Sequence, residues 1–319
     1  MTVVITDNRF EDVEIERRIL EARGIELSVA DCLSSSDVVA ACRDADGILV
    51  NMAPLDGAAL EALRRCKVIS RYGVGLDNID LAAAARMGIV VRNVAGYCDR
   101  EVAEHALALI LAIARGIPER DRAVRAGKWN SVAPGRRVAG SILGILGFGG
   151  SAKALARSAL GLGFSRILVW SPHIDAARID ETLGPLARAA GVPVSPASFE
   201  ELLSESDWVS VNLPLKPETR ALIGPAAFAR MKKGASLVNV ARGPIVDEDA
   251  LVDALESGRL GGAGLDVFTA EPLPLGSSLR SAPRLVLTDH SAYASVESIR
   301  ELRSRCAENA LEVLQARKK

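Results

Sequence analysis

Short apolar runs alternate with segments of helical periodicity along most of the chain. In the first third the pattern predicts strands at residues 3–5, 26–29, 45–50, 67–70 and 89–91, with helices at residues 13–22 and 57–65. Strands that alternate with helices favour a parallel sheet covered by helices on both faces. The first part of the chain is therefore expected to form one α/β unit.

A second series of the same kind follows a long apolar helix at residues 102–113. That helix is apolar on nearly all sides, so we expect it to be buried or to form a subunit contact. The later predicted strands lie at residues 141–146, 167–170, 208–212, 236–239, 264–267 and 285–287. The whole pattern predicts the α/β class, with two doubly wound parallel-sheet units.

Composition narrows the classes of function by exclusion. The 319 residues include 39 basic and 40 acidic side chains, without a block of like charge, so we expect neither nucleic acid nor a membrane as a partner. The five cysteines form no Cys-x-x-Cys pair and there are three histidines, so no metal site and no disulfide framework are expected. The amino-terminal segment lacks the pattern of a signal peptide, and the expected location is the cytoplasm.

A glycine-rich turn follows the strand predicted at residues 141–146. Gly147 permits a tight turn, Gly149 lets the backbone approach a pyrophosphate, and the small Ala152 lets helix and strand pack closely. The amides of Gly150 and Ser151 would face the phosphates at the start of the next helix. The turn predicts a dinucleotide cofactor, NAD or NADP.

The residues after the next strand bear on the choice of cofactor. An acidic residue usually stands there, binds the ribose hydroxyls and repels a 2′-phosphate. Here the strand is followed by Ser171, Pro172 and His173. Ser171 can hydrogen-bond a ribose hydroxyl, and Ser171 with His173 can equally accommodate a phosphate. The choice stays open, with NAD slightly favoured.

Three polar residues, Arg242, Glu271 and His290, follow three later strands. The carboxyl ends of parallel strands collect binding loops at one edge of a sheet. The guanidinium of Arg242 can grip a carboxylate through two hydrogen bonds and polarise the adjacent carbonyl. His290 can transfer a proton near neutral pH, and Glu271 would orient it and favour its protonated form. The trio predicts hydride transfer to a 2-oxo acid, whereas His105, inside an apolar helix, is expected to be structural.

A series of motifs in this order resembles the D-2-hydroxyacid dehydrogenase family over nearly the whole chain. The motifs lie at residues 71–80, 102–106, 143–152, 212–219, 241–243, 266–272 and 289–292. Two further segments, residues 94–98 and 121–127, resemble the subgroup related to C-terminal-binding proteins. That subgroup includes transcriptional corepressors as well as bacterial enzymes.

The resemblance implies two Rossmann-like domains with the active site in the cleft between them. The substrate-binding domain would be discontinuous, comprising residues 1–96 and 288–319, and residues 97–287 would bind NAD(P). The implied activity is hydride transfer between NAD(P)H and a small 2-oxo acid or D-2-hydroxy acid, with His290 as acid/base. A nucleotide-sensing regulatory protein, similar to the corepressors and with little or no turnover, is the alternative. The helix from Val102 resembles the family's dimer helix, which implies a homodimer.

The resemblance also assigns functions to individual positions, with Arg242, Glu271 and His290 as the catalytic residues. The expected cofactor-binding residues are Val74, Val102, Gly147, Gly149, Gly150, Ser151, Ser171, His173, Leu213, Pro214, Thr219, Val240, Ala241, Asp266 and Ala292. The expected substrate-binding residues are Asn51, Ala53, Arg71, Val74, Gly75, Arg242 and Tyr293. The chain departs from the family pattern at Ser171, at Gly150 in place of a common Arg, and at Asp289 in place of a common Pro. Glyoxylate, hydroxypyruvate, branched-chain and aryl 2-oxo acids all stay open as substrates.

Overall fold

The computed structural model describes residues 1–316, which form two compact units. The first unit is Met1–Tyr97 together with the segment that begins at Ser295, and the second is Cys98–Ala294. Residues 288–294 thus belong to the second unit, whereas the family resemblance assigned them to the substrate-binding domain. The functional assignment of the two domains stays a prediction.

The elements alternate between strand and helix through most of both units. In chain order the strands are β1 (Thr2–Ile5), β2 (Glu26–Val29), β3 (Gly47–Val50), β4 (Val68–Arg71), β5 (Val90–Arg92), β6 (Ile142–Leu146), β7 (Arg166–Trp170), β8 (Val194–Pro196), β9 (Trp208–Val211), β10 (Ser236–Asn239), β11 (Gly262–Leu265) and β12 (Leu285–Leu287). The helices are α1 (Glu14–Glu21), α2 (Ser35–Cys42), α3 (Gly57–Ala62), α4 (Leu81–Arg86), α5 (Asp99–Arg115), α6 (Ile117–Arg125), α7 (Gly150–Ala159), α8 (Ala176–Ala190), α9 (Phe199–Glu205), α10 (Pro225–Arg230), α11 (Glu248–Glu256) and α12 (Val296–Ala316).

The first unit contains a five-stranded parallel sheet in the order β2-β1-β3-β4-β5. All four residues of β3 are buried, which explains why that strand is a continuous apolar run. The packing of α12 against α1 returns the carboxy-terminal helix to this unit. The strand order is the flavodoxin-like version of a doubly wound sheet.

A buried ion pair links α12 to α1. Arg303 is 6% exposed and Glu16 is fully buried, and Arg303 Nη2 lies 2.8 Å from Glu16 Oε2. Arg303 Nη2 also donates to Asp12 Oδ1 at 2.8 Å, and the Tyr72 hydroxyl donates to Glu16 Oε1 at 3.2 Å. Buried charges are tolerated only when they are paired and hydrogen-bonded, and this group meets that requirement.

The second unit contains a seven-stranded parallel sheet in the order β12-β11-β10-β9-β6-β7-β8. The strand order reverses between β9 and β6, which is the topological switch point of a doubly wound sheet. Ligands bind at such points, beyond the carboxyl ends of the strands. The fold therefore directs attention to the loops that follow these strands.

The predicted fold class is confirmed, since both sheets are parallel and doubly wound. Each predicted strand overlaps an observed one, with ends that differ by at most two residues. The prediction missed β8, a three-residue edge strand that ends in Pro196 and contains no apolar run. Within residues 1–316, no helix has both the length and the apolar character needed to cross a bilayer.

Candidate active site

The predicted functional residues of the second unit follow the carboxyl ends of its strands. Gly147 follows β6, Ser171 follows β7, Arg242 lies three residues beyond β10, Asp266 follows β11, and His290 lies three residues beyond β12. Because the strands are parallel, these loops share one edge of the sheet. The sheet thus gathers the residues that the sequence singled out.

The glycine turn has the geometry of an anion-binding loop. Gly147 has a φ of 108°, and a Cβ there would overlap the carbonyl of Asn212, so only glycine fits. No heavy atom lies within 4 Å of a Cβ built on Gly149, which leaves space above the backbone. Gly149 is the N-cap of α7 and makes no side-chain capping bond, while Ala152 is fully buried. The first amides of α7 therefore suit the pyrophosphate of a dinucleotide.

The loop that carries Arg242 is held from both sides. Asn239 Nδ2 donates to the carbonyl of Arg242 at 2.9 Å, and its Oδ1 accepts from the amide of Ala241 at 3.0 Å. A Cβ at Gly243 would overlap the backbone of Phe268, so the two loops approach each other closely. Arg242 is half-buried, and its guanidinium donates to the carbonyl of Ala241 at 2.7 Å. A cation is thereby fixed beside the loop that leads to Glu271.

Glu271 and His290 form a short hydrogen-bonded pair. His290 Nδ1 lies 2.6 Å from Glu271 Oε2, and the amide of Phe268 donates to Glu271 Oε1 at 2.9 Å. Both oxygens of the carboxylate are thus engaged, and the imidazole is held through one nitrogen. Since Nδ1 bonds to Glu271, Nε2 is the ring nitrogen that remains for proton transfer.

The carboxyl of Glu271 is kept ionised by its neighbours. Partial burial raises its pKa, but the hydrogen bonds from His290 and from the amide of Phe268 lower it. The positive charges of His290 and Arg242 lower it further, so the net shift of the pKa is downward. Glu271 is therefore suited to orient His290 and to stabilise its positive charge, rather than to act as an acid.

His290 stands on a turn with unusual backbone geometry. Its φ of 56° lies in the left-handed region, which a residue with a side chain adopts at a cost of roughly 1–3 kcal/mol. The amide of His290 donates to the carbonyl of Asp266 at 2.8 Å. The ring of Tyr293 meets the imidazole edge to face, with 6.4 Å between the ring centres.

Asp266 holds this turn through its carboxylate. Oδ1 accepts from the Thr288 hydroxyl at 2.6 Å and from the amide of Ser291 at 2.9 Å, and Oδ2 accepts from the amide of Ala292 at 3.0 Å. The residue is only 1% exposed. The structure shows that Asp266 determines the shape of the loop that presents His290, while its predicted contact with the cofactor stays a prediction.

Sequence reasoning missed Thr288 and the contact that His105 makes with it. His105 Nε2 lies 2.9 Å from Thr288 Oγ1 and 3.5 Å from Asp266 Oδ1. Because the Thr288 hydroxyl donates to Asp266, it accepts from His105 Nε2–H. A histidine in an apolar helix was the only indication in the sequence, and it does not reveal a partner 183 residues away.

The other predicted cofactor-binding residues of the second unit include some that are buried and some that solvent can reach. Leu213 is 5%, Val240 is 7% and Ala292 is 4% exposed, so their side chains pack in the core. Ser171 is half-buried, and His173 is exposed with a φ of 64°. Side-chain contacts with a ligand are therefore open to Ser171 and His173, whereas the buried three can offer mainly backbone groups.

Three further predicted positions surround this edge. Val102 is half-buried on α5 and packs against the core of the unit. The hydroxyl of Thr219 donates to the carbonyl of Pro214 at 2.8 Å, which closes the loop after β9. Ser151 lies half-buried in the first turn of α7.

In the first unit, the loop of Asn51 and Ala53 is shaped by an aspartate that the sequence analysis overlooked. The carboxylate of Asp7 accepts from the amides of Asn51 at 2.9 Å, Met52 at 2.5 Å and Ala53 at 3.1 Å. Arg71 Nε donates to the carbonyl of Asn51 at 3.3 Å. These contacts bring three of the predicted substrate-binding residues together.

Val74 and Gly75 lie in the loop that follows β4. Val74 is 46% exposed, and Asn93 Nδ2 donates to its carbonyl at 2.7 Å. A Cβ at Gly73, whose φ is 143°, would overlap the guanidinium of Arg71. The glycine therefore leaves room for the Arg71 side chain. Contacts between these residues and those of the second unit stay predictions.

Comparison with known proteins identifies the family. Residues 107–292 match the model of the D-isomer specific 2-hydroxyacid dehydrogenase NAD-binding domain. A glyoxylate reductase of Korarchaeum cryptofilum (strain OPF8) is 39% identical over 284 residues, which are 87% of this chain and 82% of that protein. The D-3-phosphoglycerate dehydrogenase of Mycobacterium leprae (strain TN) is 38% identical over 276 residues, which are 86% of this chain and 50% of that protein. The chain thus spans only half the length of this second relative.

Solved structures agree with these matches. The NAD-dependent formate dehydrogenase from Staphylococcus aureus, solved in complex with NAD, superposes with a TM-score of 0.84 at 29% identity, covering 100% of this chain and 97% of that one. Fold, sequence and the NAD-binding domain lead to one conclusion. The chain belongs to the D-isomer specific 2-hydroxyacid dehydrogenase family.

Proposed function

We propose that this protein is an NAD-dependent reductase of a small 2-oxo acid, with His290 as the acid/base. The observation that carries the proposal is the Glu271–His290 pair, joined at 2.6 Å, with Arg242 near enough to lower the pKa of Glu271. The pair lies at the carboxyl edge of a sheet whose glycine turn fits a dinucleotide. The names of the relatives, among them a glyoxylate reductase, support the reaction class.

Each of the three residues has a distinct part in the reaction. Arg242 binds the substrate carboxylate and draws electron density from the adjacent carbonyl. When NADH is bound, its nicotinamide supplies the hydride to the carbonyl carbon. His290 donates a proton from Nε2 to the carbonyl oxygen as negative charge develops there. Glu271 keeps the imidazole in place and stabilises its positive charge before transfer.

Two loops of the second unit support the choice of cofactor. The free amides of α7 after Gly149 would bind the pyrophosphate, and Ser171 would hydrogen-bond a ribose hydroxyl. The match to an NAD-binding domain and the NAD complex of a structural neighbour favour NAD. Ser171 carries no charge that would repel a 2′-phosphate, so NADPH is the necessary comparison.

The first unit would supply the rest of the substrate site. In this assignment the amides of Val74 and Gly75 bind the substrate carboxylate, and the side chain of Arg71 lines the pocket. The loop of Asn51 and Ala53, which Asp7 holds in shape, lies beside Arg71. Tyr293, next to His290, would line the pocket from the second unit.

The proposal includes a homodimer in which α5 takes part in the contact. Five residues of α5 are buried within its own unit, while Leu111 remains 38% exposed. Sedimentation of a stable monomer would refute the dimer and leave the proposed reaction untouched.

The test is oxidation of NADH and NADPH, side by side, with a panel of 2-oxo acids. We expect turnover with NADH, and we expect His290→Gln to lower it by about 10²–10⁴-fold while NADH still binds. Normal turnover by His290→Gln would refute the assignment of the acid/base. Tight NADH binding without turnover on any member of the panel would instead favour a nucleotide-sensing regulator.

A further inference from the structure

An acidic side chain lies directly against the glycine turn. Helix α5 begins at Asp99 and helix α7 begins at Gly150. The carboxyl group of Asp99 occupies the place that a Cβ at residue 150 would take, and all three of its terminal atoms would overlap such a Cβ. Gly150 therefore admits the carboxyl group to the start of the helix that receives the pyrophosphate.

The charges around Asp99 only partly balance it. Asp99 is half-buried, and no described residue donates a hydrogen bond to its carboxylate. Glu101 on the same helix adds a second negative charge, and Lys153 on α7 supplies a positive one. Burial is the main cause that raises the pKa of Asp99, Glu101 raises it further, and Lys153 opposes the rise.

A bound dinucleotide would bring more negative charge to the same place. The pyrophosphate of a dinucleotide binds at the amino end of the helix that follows the glycine turn. That end is Gly150, against which the Asp99 carboxyl already lies. Two like charges this close repel one another strongly unless one of them is neutralised.

We propose that Asp99 makes dinucleotide binding pH-dependent: its carboxylate opposes the pyrophosphate, and binding is accompanied by uptake of a proton at Asp99. The inference rests on the dinucleotide site of the proposed function and adds to it a residue that tunes affinity. Lys153, whose ammonium lies 5.3 Å from the ring centre of Phe148 in the same turn, acts in the opposite direction. Asp99 and Lys153 together determine how tightly the pyrophosphate is held at a given pH.

The experiment measures binding rather than turnover. ADP-ribose serves as the probe because it carries the pyrophosphate without the nicotinamide, and adenosine serves as the ligand that lacks it. Titration calorimetry at several pH values gives the affinities, and buffers of different ionisation enthalpy give the number of protons taken up. NADH binding at neutral pH, followed by fluorescence, shows that the dinucleotide site itself is intact.

We expect the affinity of the wild-type protein for ADP-ribose to rise as the pH falls, with proton uptake on binding. Asp99→Asn should bind ADP-ribose roughly 3- to 30-fold more tightly at neutral pH, with the uptake and most of the pH dependence lost. Lys153→Met should weaken binding by a comparable factor. The matched control, Glu104→Gln, removes an exposed carboxylate from the same helix and should leave the affinity unchanged.

Other outcomes would overturn the inference. Equal or weaker binding of ADP-ribose by Asp99→Asn, or a pH dependence that persists in that variant, would show that Asp99 does not oppose the pyrophosphate. An equal gain in adenosine affinity would show that the effect is not electrostatic. These results, obtained while NADH binds normally, would leave the proposed function standing, whereas failure of the wild-type protein to bind NADH would overturn both.

Discussion

Replacing Asp266 with asparagine tests whether this buried carboxylate holds the turn that presents His290. In the best rotamer the amide oxygen still accepts from Thr288 and Ser291, but the new NH₂ group faces the amide of Ala292. One hydrogen bond to a charged group is lost. The backbone amide of Ala292, a residue that is only 4% exposed, then has no acceptor. Together these changes cost about 2–4 kcal/mol in the free energy of unfolding.

Tryptophan fluorescence during urea unfolding measures this loss of stability in the second unit. All three tryptophans, Trp129, Trp170 and Trp208, belong to the second unit, which also contains Asp266. The matched control is Asp289→Asn, which removes an exposed carboxylate beside His290 and should change stability by less than about 0.5 kcal/mol.

The Asp266→Asn variant should also turn over its substrate more slowly. If the turn relaxes by about 1 Å, the imidazole is misplaced and the rate should fall by about 10²-fold. An Asp266→Asn protein within about 0.5 kcal/mol of the wild type and with normal turnover would refute the reasoning, because the three hydrogen bonds would then contribute nothing measurable.

Two further changes test the ion pairs of the two units. Because the folded protein lowers the pKa of Glu271, its ionised form stabilises the fold at neutral pH, and this contribution is lost as the pH falls through the lowered pKa. Glu271→Gln, which cannot ionise beside His290, should therefore be less stable than the wild type at neutral pH, and the two free energies of unfolding should converge in acid. In the first unit, Arg303→Met leaves the fully buried Glu16 unpaired and should cost about 3–5 kcal/mol in urea unfolding. Adding Glu16→Leu should recover most of that loss, and a double variant as unstable as the single one would contradict this account.

The sequence predicts the architecture well because the apolar positions that give the pattern its periodicity are the positions that the fold buries. β3 is a continuous apolar run and β10 has two apolar residues at its centre, and both strands prove to be buried over their whole length. Once the strands are placed, the candidate catalytic residues can be predicted as well, since Arg242 and His290 stand just beyond strand ends. β8 was missed because it is a short edge strand that is only partly buried, so its residues carry no strong apolar pattern.

Contacts between distant side chains are what the sequence does not reveal. Nothing in the pattern around Asp99 indicates that its carboxyl lies against Gly150, and nothing around His105 indicates its bond to Thr288. Both contacts depend on how α5 packs against its own unit, and the apolar pattern of this helix predicts only that it is buried or forms a subunit contact. The glycine at position 150 is the better clue, because it marks a place where another group approaches the backbone.

In both units an aspartate near the end of a strand accepts hydrogen bonds from several amides of a neighbouring loop, and the same arrangement could be sought in other sequences. Asp7 lies two residues beyond β1, accepts from the Thr6 hydroxyl at 2.7 Å, and binds the amides of the loop that begins at Asn51. Asp266 directly follows β11, accepts from the Thr288 hydroxyl, and gathers the amides of the turn that carries His290. A carboxylate can accept several hydrogen bonds at once, so one buried residue fixes several amides of a loop that has no regular structure of its own. An aspartate within two residues of the end of a buried strand is therefore to be interpreted first as the support of a neighbouring functional loop, and its loss should loosen that loop before it unfolds the sheet.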